Sequence, residues 1–406
     1  MLTSVRLLQG IKILDFTWAG VGPRTVAYLA QYGAQVVKVE SALRPDPLRT
    51  MPPFKGDGPG INRSQTFARH SGNKYSLALN LNHPKAGQVL KKLVLWADMI
   101  TESFAPGTLK TWEMSYEDVK KVKPDIIMMS TSMQGQTGPD CSHPGYGIPL
   151  TSLSGFTDIT GWPDRQPTGP YGPYTDFVAP MFNLVAILSA LDYRRRTGKG
   201  QYLDLSQNEC AMHFLSPMIL DYTANGREFK KRANCSNCAA PHGVYPCKGE
   251  DKWCAIAVFD PEEWRSFCEV IGNPEWTRNK KFATLKMRLQ NSEELDKLVG
   301  EWTINHSPQE VMSSMQAVGV PAGMVMNGEE IWNDPQFRQY DPFPMVPHPE
   351  MGSCAVQRAS VKLTKTPPCN INHPPLLGEH TEYVCRELLG MSEIEFNELS
   401  NENLFQ

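Results

Sequence analysis

Asp176 stands at the mouth of an apolar segment, in Gly172-Pro-Tyr-Thr-Asp-Phe-Val-Ala-Pro180, and the basic run Arg194-Arg-Arg-Thr-Gly-Lys-Gly-Gln201 follows closely. From Val178 to Leu191 the apolar residues fall at 178, 181, 182, 184, 185, 187, 188 and 191, the stripe of a core-facing helix. Proline belongs in a first turn, so Pro180 predicts a helix start near Asp176. A carboxylate in that place has two chemistries open to it. It can cap the helix, accepting backbone N–H bonds and suiting the dipole, which would also keep it ionised at neutral pH. It can instead attack a carbonyl as a nucleophile, with the same N–H groups supporting the oxyanion that forms.

Gly20-x-Gly22 follows a first strand and Glu40 closes a second, in outline a dinucleotide-binding fingerprint. Thr25 occupies the third glycine position, and Pro23 sits where a helix should offer N–H groups to a pyrophosphate. The pair therefore reads as a tight turn for close packing rather than as the mark of a nicotinamide or flavin dehydrogenase. Cys235-Ser-Asn-Cys238, with Cys247 and Cys254 beyond it, brings four thiols close enough to consider zinc. The later pair is not a second C-x2-C, so buried or loop thiols are expected and no metal. No phosphate loop, G-x-S-x-G elbow or H-E-x-x-H pair occurs, which removes the usual support for kinase and hydrolase readings.

The elements that must position Asp176 alternate. Ile11–Phe16 reads as a buried strand, a helix runs through Thr25–Gln31, and Gln35–Val39 is a second strand, a β-α-β unit that implies a parallel sheet. Further units follow: helix 85–96, strand 99–101, helix 116–122 and strand 125–129. The fold class expected is α/β, an open parallel Rossmann-like sheet. Arg44–Asn73, rich in Pro, Gly and Arg, is a long loop of the kind that carries function. Past a polar, basic linker near Arg227–Ala240, short strands at 244–245 and 253–258 and helices at 262–271 and 292–302 suggest a smaller α+β domain. The boundaries expected are 1–225 for the first part of the large domain, 226–325 for the small one, and 326–406 for a segment returning to the large one.

With 406 residues, 41% hydrophobic and 20% charged, the chain can bury a large core and reads as a globular protein. A net charge of −3 without a basic block points to neither nucleic acid nor an anionic membrane. The opening residues lack the apolar region of a signal peptide, and no apolar run reads as a membrane span, so a cytoplasmic location is expected. The ten cysteines are too dispersed for a disulfide framework.

Eight motifs carry a resemblance to a known family. They are Gly33-Ala-Gln-Val-Val-Lys-Val-Glu40, Asn73-Lys-Tyr-Ser-Leu-Ala-Leu-Asn80, Ala97-Asp-Met-Ile-Thr-Glu-Ser-Phe-Ala-Pro-Gly107 and Gly135-Gln-Thr-Gly-Pro139. Tyr174-Thr-Asp176, Arg196-Thr-Gly-Lys-Gly-Gln201, Gly319-Val-Pro-Ala322 and Leu377-Gly-Glu-His-Thr381 complete them. In this order, over nearly the whole chain, they resemble the family III CoA-transferases, a group that also holds α-methylacyl-CoA racemases. The resemblance places Asp176 on the family's nucleophilic aspartate, which passes CoA through aspartyl anhydride and aspartyl-CoA thioester intermediates. It implies coenzyme A or acyl-CoA as substrate, no permanently bound cofactor, and an interlaced dimer or a heteromer with a related subunit.

By the same resemblance the CoA site lies along Gly20, Val21, Ala42, Arg44, Arg49, Ser71, Lys74, Ser103, Phe104 and Lys110. Arg24, Arg63, Tyr146 and His242 are candidates to bind the substrate acid. Racemases of the family add a histidine shortly after G-x-x-G-P. That position holds Tyr146 here, a poor proton shuttle at pH 7, with His143 three residues away. Gly20 and Ser103 replace the glutamine and asparagine of formyl-CoA transferases, and Cys235–Ala240 replaces their glycine run, which argues against formyl-CoA chemistry. Val39-Glu-Ser41, Arg44–Arg49 and Ala240-Pro-His-Gly-Val-Tyr245 look most like the benzylsuccinate branch, whose members take CoA from succinyl-CoA in anaerobic toluene breakdown.

Overall fold

The computed structural model describes residues 6–56 and 58–406, so Met1–Val5 and Asp57 of the long loop lie outside the described residues. Six strands form one fully parallel sheet: β1 (Lys12–Phe16), β2 (Gln35–Glu40), β3 (Lys74–Ala78), β4 (Met99–Glu102), β5 (Ile127–Ser132) and β6 (Tyr202–Ser206). Their spatial order is β3-β2-β1-β4-β5-β6, so the chain winds outward in one direction from β1 and in the other from β4. That reversal leaves a crevice beyond the carboxyl ends of β1 and β4, where doubly wound sheets bind ligands.

Strand periodicity of two sends alternate residues to the two faces, and helices cover both. Leu14, Val37, Leu77, Ile100 and Met128 pack on one face with Val89, Leu90 and Leu93 of α2 (Ala86–Trp96) and with Leu399 and Leu404 near the C-terminus. On the other, Ile13, Val36, Met99, Ile127 and Met129 pack with Leu29 and Ala30 of α1 (Val21–Gln31). Ile187 and Ala190 of α5 (Thr175–Thr197) join that second layer. Between them in sequence lie α3 (Tyr116–Val122) and α4 (Gly147–Leu153). After β6 come α6 (Gln207–Phe214) and α7 (Ser216–Asn225).

The chain divides into two compact units, residues 6–158, 168–229 and 341–406 in the first, and 159–167 and 230–340 in the second. The second unit holds an antiparallel sheet of β7 (His242–Pro246), β8 (Trp253–Ala257) and β9 (Ala322–Met324), in the order β7-β8-β9. Its core forms where Ile256 meets Phe267 of α8 (Pro261–Val270), Val299 of α9 (Ser292–Thr303) and Met315 of α10 (Pro308–Ala317).

Two features of α5 differ from the sequence expectation. Pro180 lies in the second turn, and the apolar residues do not share one core face. Ala179, Asn183, Ile187 and Ala190 are buried, while Phe177, Met181, Val185 and Leu188 are exposed. The helix is apolar nearly all round, long and apolar enough by length and composition to cross a membrane. In the structure one side of it is committed to α1, with Asn183 Nδ2 donating to Thr25 Oγ1 at 3.2 Å.

The long loop is also more ordered than its composition suggests. Arg49, fully buried, spends its five N–H groups on both Glu40 oxygens (2.8 and 2.7 Å), the Ile61 and Pro375 carbonyls and Asn62 Oδ1. Its guanidinium also stacks 3.7 Å from the Phe67 ring centroid. Glu40 takes a further bond from Ser76 Oγ at 2.8 Å, so the carboxylate that imitated a ribose ligand is consumed inside the fold.

Candidate active site

Four strand ends and four helix starts converge on one pocket of about 170 Å³ in the first unit. Trp18, Ala19 and Gly20 follow β1, Ser103 and Phe104 follow β4, Ser132 and Met133 end β5, and Gln207 follows β6. Tyr146 and Gly147 open α4, and Asp176 is the second residue of α5.

Asp176 is set by packing at the start of α5. Val178 and Ala179 bury against Val21 and Cys210, and each such valine contributes about 1.5–3 kcal/mol by leaving water. The carboxylate then lies between two glycine backbones. A Cβ on Gly20 would fall 2.2 Å from Asp176 Oδ2, and one on Gly147 would fall 2.6 Å from Oδ1. No larger residue fits either position without moving the carboxylate. Burial pushes the Asp176 pKa up to about 6, against the pull of the Arg24 charge. The direction is opposite to that expected for a capping aspartate, and the N-cap position falls on Tyr174, whose side chain makes no cap hydrogen bond.

Pro180 explains the link to Arg24. A proline has no N–H to give the carbonyl four residues back, which leaves the Asp176 C=O without its helical partner. Arg24 Nη1 donates to that oxygen at 3.2 Å, and its guanidinium stacks 3.7 Å from the Phe177 ring centroid.

The neighbouring loops are stapled together. Trp18 N donates to Ser103 Oγ (2.8 Å), and the same hydroxyl donates back to Trp18 O (2.9 Å). Phe104 N donates to Glu102 Oε2 at 2.7 Å, and burial lifts that carboxyl to about 7. Phe104 meets Trp18 edge-on at 5.3 Å and Trp112 at 5.8 Å, a ledge of aromatic surface beside the pocket. The Arg44 guanidinium stands 5.4 Å from the Trp18 ring.

Of the residues singled out from the sequence, Gly20, Val21, Ser103, Phe104, Tyr146 and Asp176 meet in this pocket, and Tyr146 is 67% exposed. Ala42 and Arg44 are exposed beyond β2, and Lys110 is exposed on the turn Leu109–Trp112. Arg49 has no N–H group left for a phosphate. Lys74 is buried, with Nζ 3.4 Å from Asp15 Oδ2 and 3.1 Å from Pro23 O, so it too is occupied inside the sheet. Ser71 is buried with its hydroxyl unpartnered. Arg24 lies beneath α5 rather than on the pocket wall, and Arg63 folds against Gly56 and Gly60 of its own loop.

His242 belongs to the second unit, where its Nδ1 bonds Asn234 O and its ring lines a hollow with Cys235 and Asp296. Cys235 and Cys238 are exposed there while Cys247 and Cys254 are buried, and among the described residues no metal-holding group of His, Cys, Asp and Glu occurs.

Sequence reasoning missed Ser132, Met133 and Gln207. Ser132 Oγ and Gln207 Oε1 are buried polar atoms without a partner, a donor and an acceptor facing the same pocket. The usable signal was positional: they follow strand ends at the reversal of the sheet, and β6 was not recognised as a strand. His143, set aside as a proton shuttle, also lines the pocket.

A doubly wound sheet with a half-buried carboxylate in the crevice at its switch point defines an α/β protein with its ligand site at the carboxyl ends of the strands. The model of "CoA-transferase family III" matches residues 8–381, and the chain belongs to that family and is a CoA-transferase. It is 31% identical over 388 residues to the succinyl-CoA–D-citramalate CoA-transferase of Chloroflexus aurantiacus, covering 96% of this chain and 95% of that protein. It is 28% identical to the succinyl-CoA–L-malate CoA-transferase beta subunit of the same organism, with 99% of each covered. A CaiB/BaiF family protein from Brucella suis superposes with a TM-score of 0.86 at 27% identity, covering 94% of this chain and 99% of that one.

Proposed function

We propose that this enzyme moves CoA from succinyl-CoA to a dicarboxylic acid through covalent intermediates on Asp176. An oxygen of the Asp176 carboxylate attacks the succinyl thioester carbonyl, expelling CoA thiolate and forming a succinyl–aspartyl anhydride. The thiolate then attacks the aspartyl carbonyl and expels succinate, leaving an aspartyl-CoA thioester. A carboxylate of the acceptor attacks that thioester, releasing the thiolate and forming a second anhydride. Attack of the thiolate on the acceptor's carbonyl regenerates Asp176 and releases the new thioester. Each step exchanges one acyl bond for another, the benefit of covalent relay.

The observation that carries this reading is the Asp176 carboxylate held between Gly20 and Gly147 at the mouth of the pocket, with a pKa of about 6 that leaves it ionised at pH 7 yet poorly solvated. The ledge of Trp18 and Phe104, flanked by Arg44, suits the adenine and phosphate end of CoA.

The relatives that act on citramalate and malate favour a four-carbon dicarboxylate backbone in the acceptor. Benzylsuccinate shares that backbone, and Met133 and Tyr146 would match its ring. It is the acceptor we put forward, with malate and citramalate as comparators. The exposed stripe Phe177, Met181, Val185 and Leu188 favours a second chain, identical or related, packed on α5.

Incubation with succinyl-CoA, trapping with hydroxylamine and peptide mass spectrometry tests the mechanism. A hydroxamate at Asp176 that is absent in Asp176→Ala is the expected result. Wash-in of solvent deuterium at the α-carbon without any carboxylate adduct, abolished by His143→Ala, would instead make the enzyme a racemase.

A further inference from the structure

We infer that a single small anion, of chloride size, occupies the cavity between α1 and the turn Arg69–His70, where it lies against Arg24, Arg69 and Arg358. The cavity is separate from the active-site pocket and shares no lining residue with it. Its wall is positive. Arg24 is only 6% exposed, and its Nε is a buried donor with no partner. Arg24 Nη2 lies 3.4 Å from His70 Nε2, and Arg69 Nε donates to that same nitrogen at 2.7 Å. His70 is 3% exposed, and burial with the two guanidinium charges keeps its pKa well below the ordinary range, so it is a neutral acceptor.

Two guanidinium groups thus meet over one uncharged imidazole. Among the described residues neither Arg24 nor Arg69 has a carboxylate within ion-pair distance, and the Asp176 charge acts on Arg24 only from farther off. Arg358 reaches its own partner, Asp341 Oδ2, at 3.3 Å. The amide of Gln31, which could have satisfied Arg24, is spent on Gln357 O and Ala359 N. Like charges at this spacing in a poorly solvated site repel by kilocalories unless a counter-charge intervenes. The space in which the centre of a small sphere can lie is about 10 Å³, enough for one monatomic ion and too small for a phosphate or a substrate acid. A chloride there accepts from Arg24 Nε and Arg69 together. It also fixes Arg24, whose other end holds the Asp176 carbonyl.

Crystals soaked in sodium bromide, with anomalous data at the bromine edge, test the site directly. Thermal unfolding in sodium chloride against sodium gluconate at equal ionic strength tests it in solution. The expected result is a bromide peak beside Arg24 and Arg69, and a Tm that climbs with chloride alone, as mass action requires of a ligand bound only by the folded state. Arg69→Gln should lose that chloride dependence, and Arg358→Gln should shift it to higher concentration while leaving the fold intact. Water alone in the cavity with identical Tm in both salts overturns the proposal. So does a bromide peak without the chloride effect, which would mean an adventitious ion only. Neither readout uses the catalytic reaction, so failure here leaves the role of Asp176 to its own test.

Discussion

At Asp176 burial and charge pull in opposite directions, and the balance sets how the enzyme responds to pH. In the proposed mechanism only the ionised carboxylate attacks, so kcat/KM should rise with pH along a limb of apparent pKa about 6. Arg24→Gln removes the positive charge that lowers this pKa and should move the limb to higher pH, measured as a pH–rate profile of the free enzyme. The same shift has a stability consequence. A pKa raised on folding means that the native state binds the proton more tightly. The destabilisation is absent below about pH 4, grows as pH rises through about 6, and is constant above it. Asp176→Asn, which mimics the protonated form, should therefore be more stable than the parent by about 2–3 kcal/mol at pH 8 and equal to it near pH 4, by urea denaturation. Gly20 makes a complementary prediction. A methyl group there would meet Asp176 Oδ2 at 2.2 Å, so Gly20→Ala should cut kcat by about 100-fold or more through misplacement, with Tm little changed.

Among the elements, α5 sacrifices a hydrogen bond for position. Pro180→Ala returns an N–H to the Asp176 carbonyl and lets the helix close, displacing Arg24 Nη1. Tm should rise while kcat falls, and a variant that gained stability at full activity would show that the Arg24 contact positions nothing. Arg49 anchors the long loop to β2 rather than binding a ligand. Arg49→Ala leaves Glu40 buried without its partner, a change that typically costs about 3–5 kcal/mol. A phosphate ligand would have shown a raised KM for CoA with unchanged stability. The expected result is the reverse, a large loss in urea midpoint before any effect on KM.

For the whole molecule, the exposed half of α5 is an apolar surface long enough to seat another chain. Phe177, Met181, Val185 and Leu188 recur at helical spacing on one face, and Val185 is 67% exposed. If a second chain packs on α5 as proposed, Val185→Glu should dissociate it, read as a drop in mass by light scattering after gel filtration. An unchanged mass would place the interface elsewhere. If a related second subunit is needed (the relatives include an alpha and a beta subunit of succinyl-CoA–L-malate CoA-transferase), the chain alone should bind succinyl-CoA but turn over slowly.

Much of the architecture was legible in local pattern. Four of the six parallel strands declared themselves as short apolar runs between helical segments, and the motif order around them pointed to the family. The edge strands did not. β3 carries Lys74 and Ser76 facing inward, and β6 is half exposed, so neither has the apolar signature of a central strand. Asp176 itself was legible too, because a carboxylate beside a helix start is a local feature and the order of the motifs around it gave it the place of the family's nucleophile. Its environment was not. That Gly20 and Gly147 press on both its oxygens, that Arg24 takes up the carbonyl Pro180 frees, and that Arg49 and Lys74 are spent inside the fold all depend on contacts between residues 9 to 326 positions apart. A charge looks the same in sequence whether it faces a ligand or a buried partner. Only the tertiary structure decides which, because desolvation and ion pairing act through space rather than along the chain.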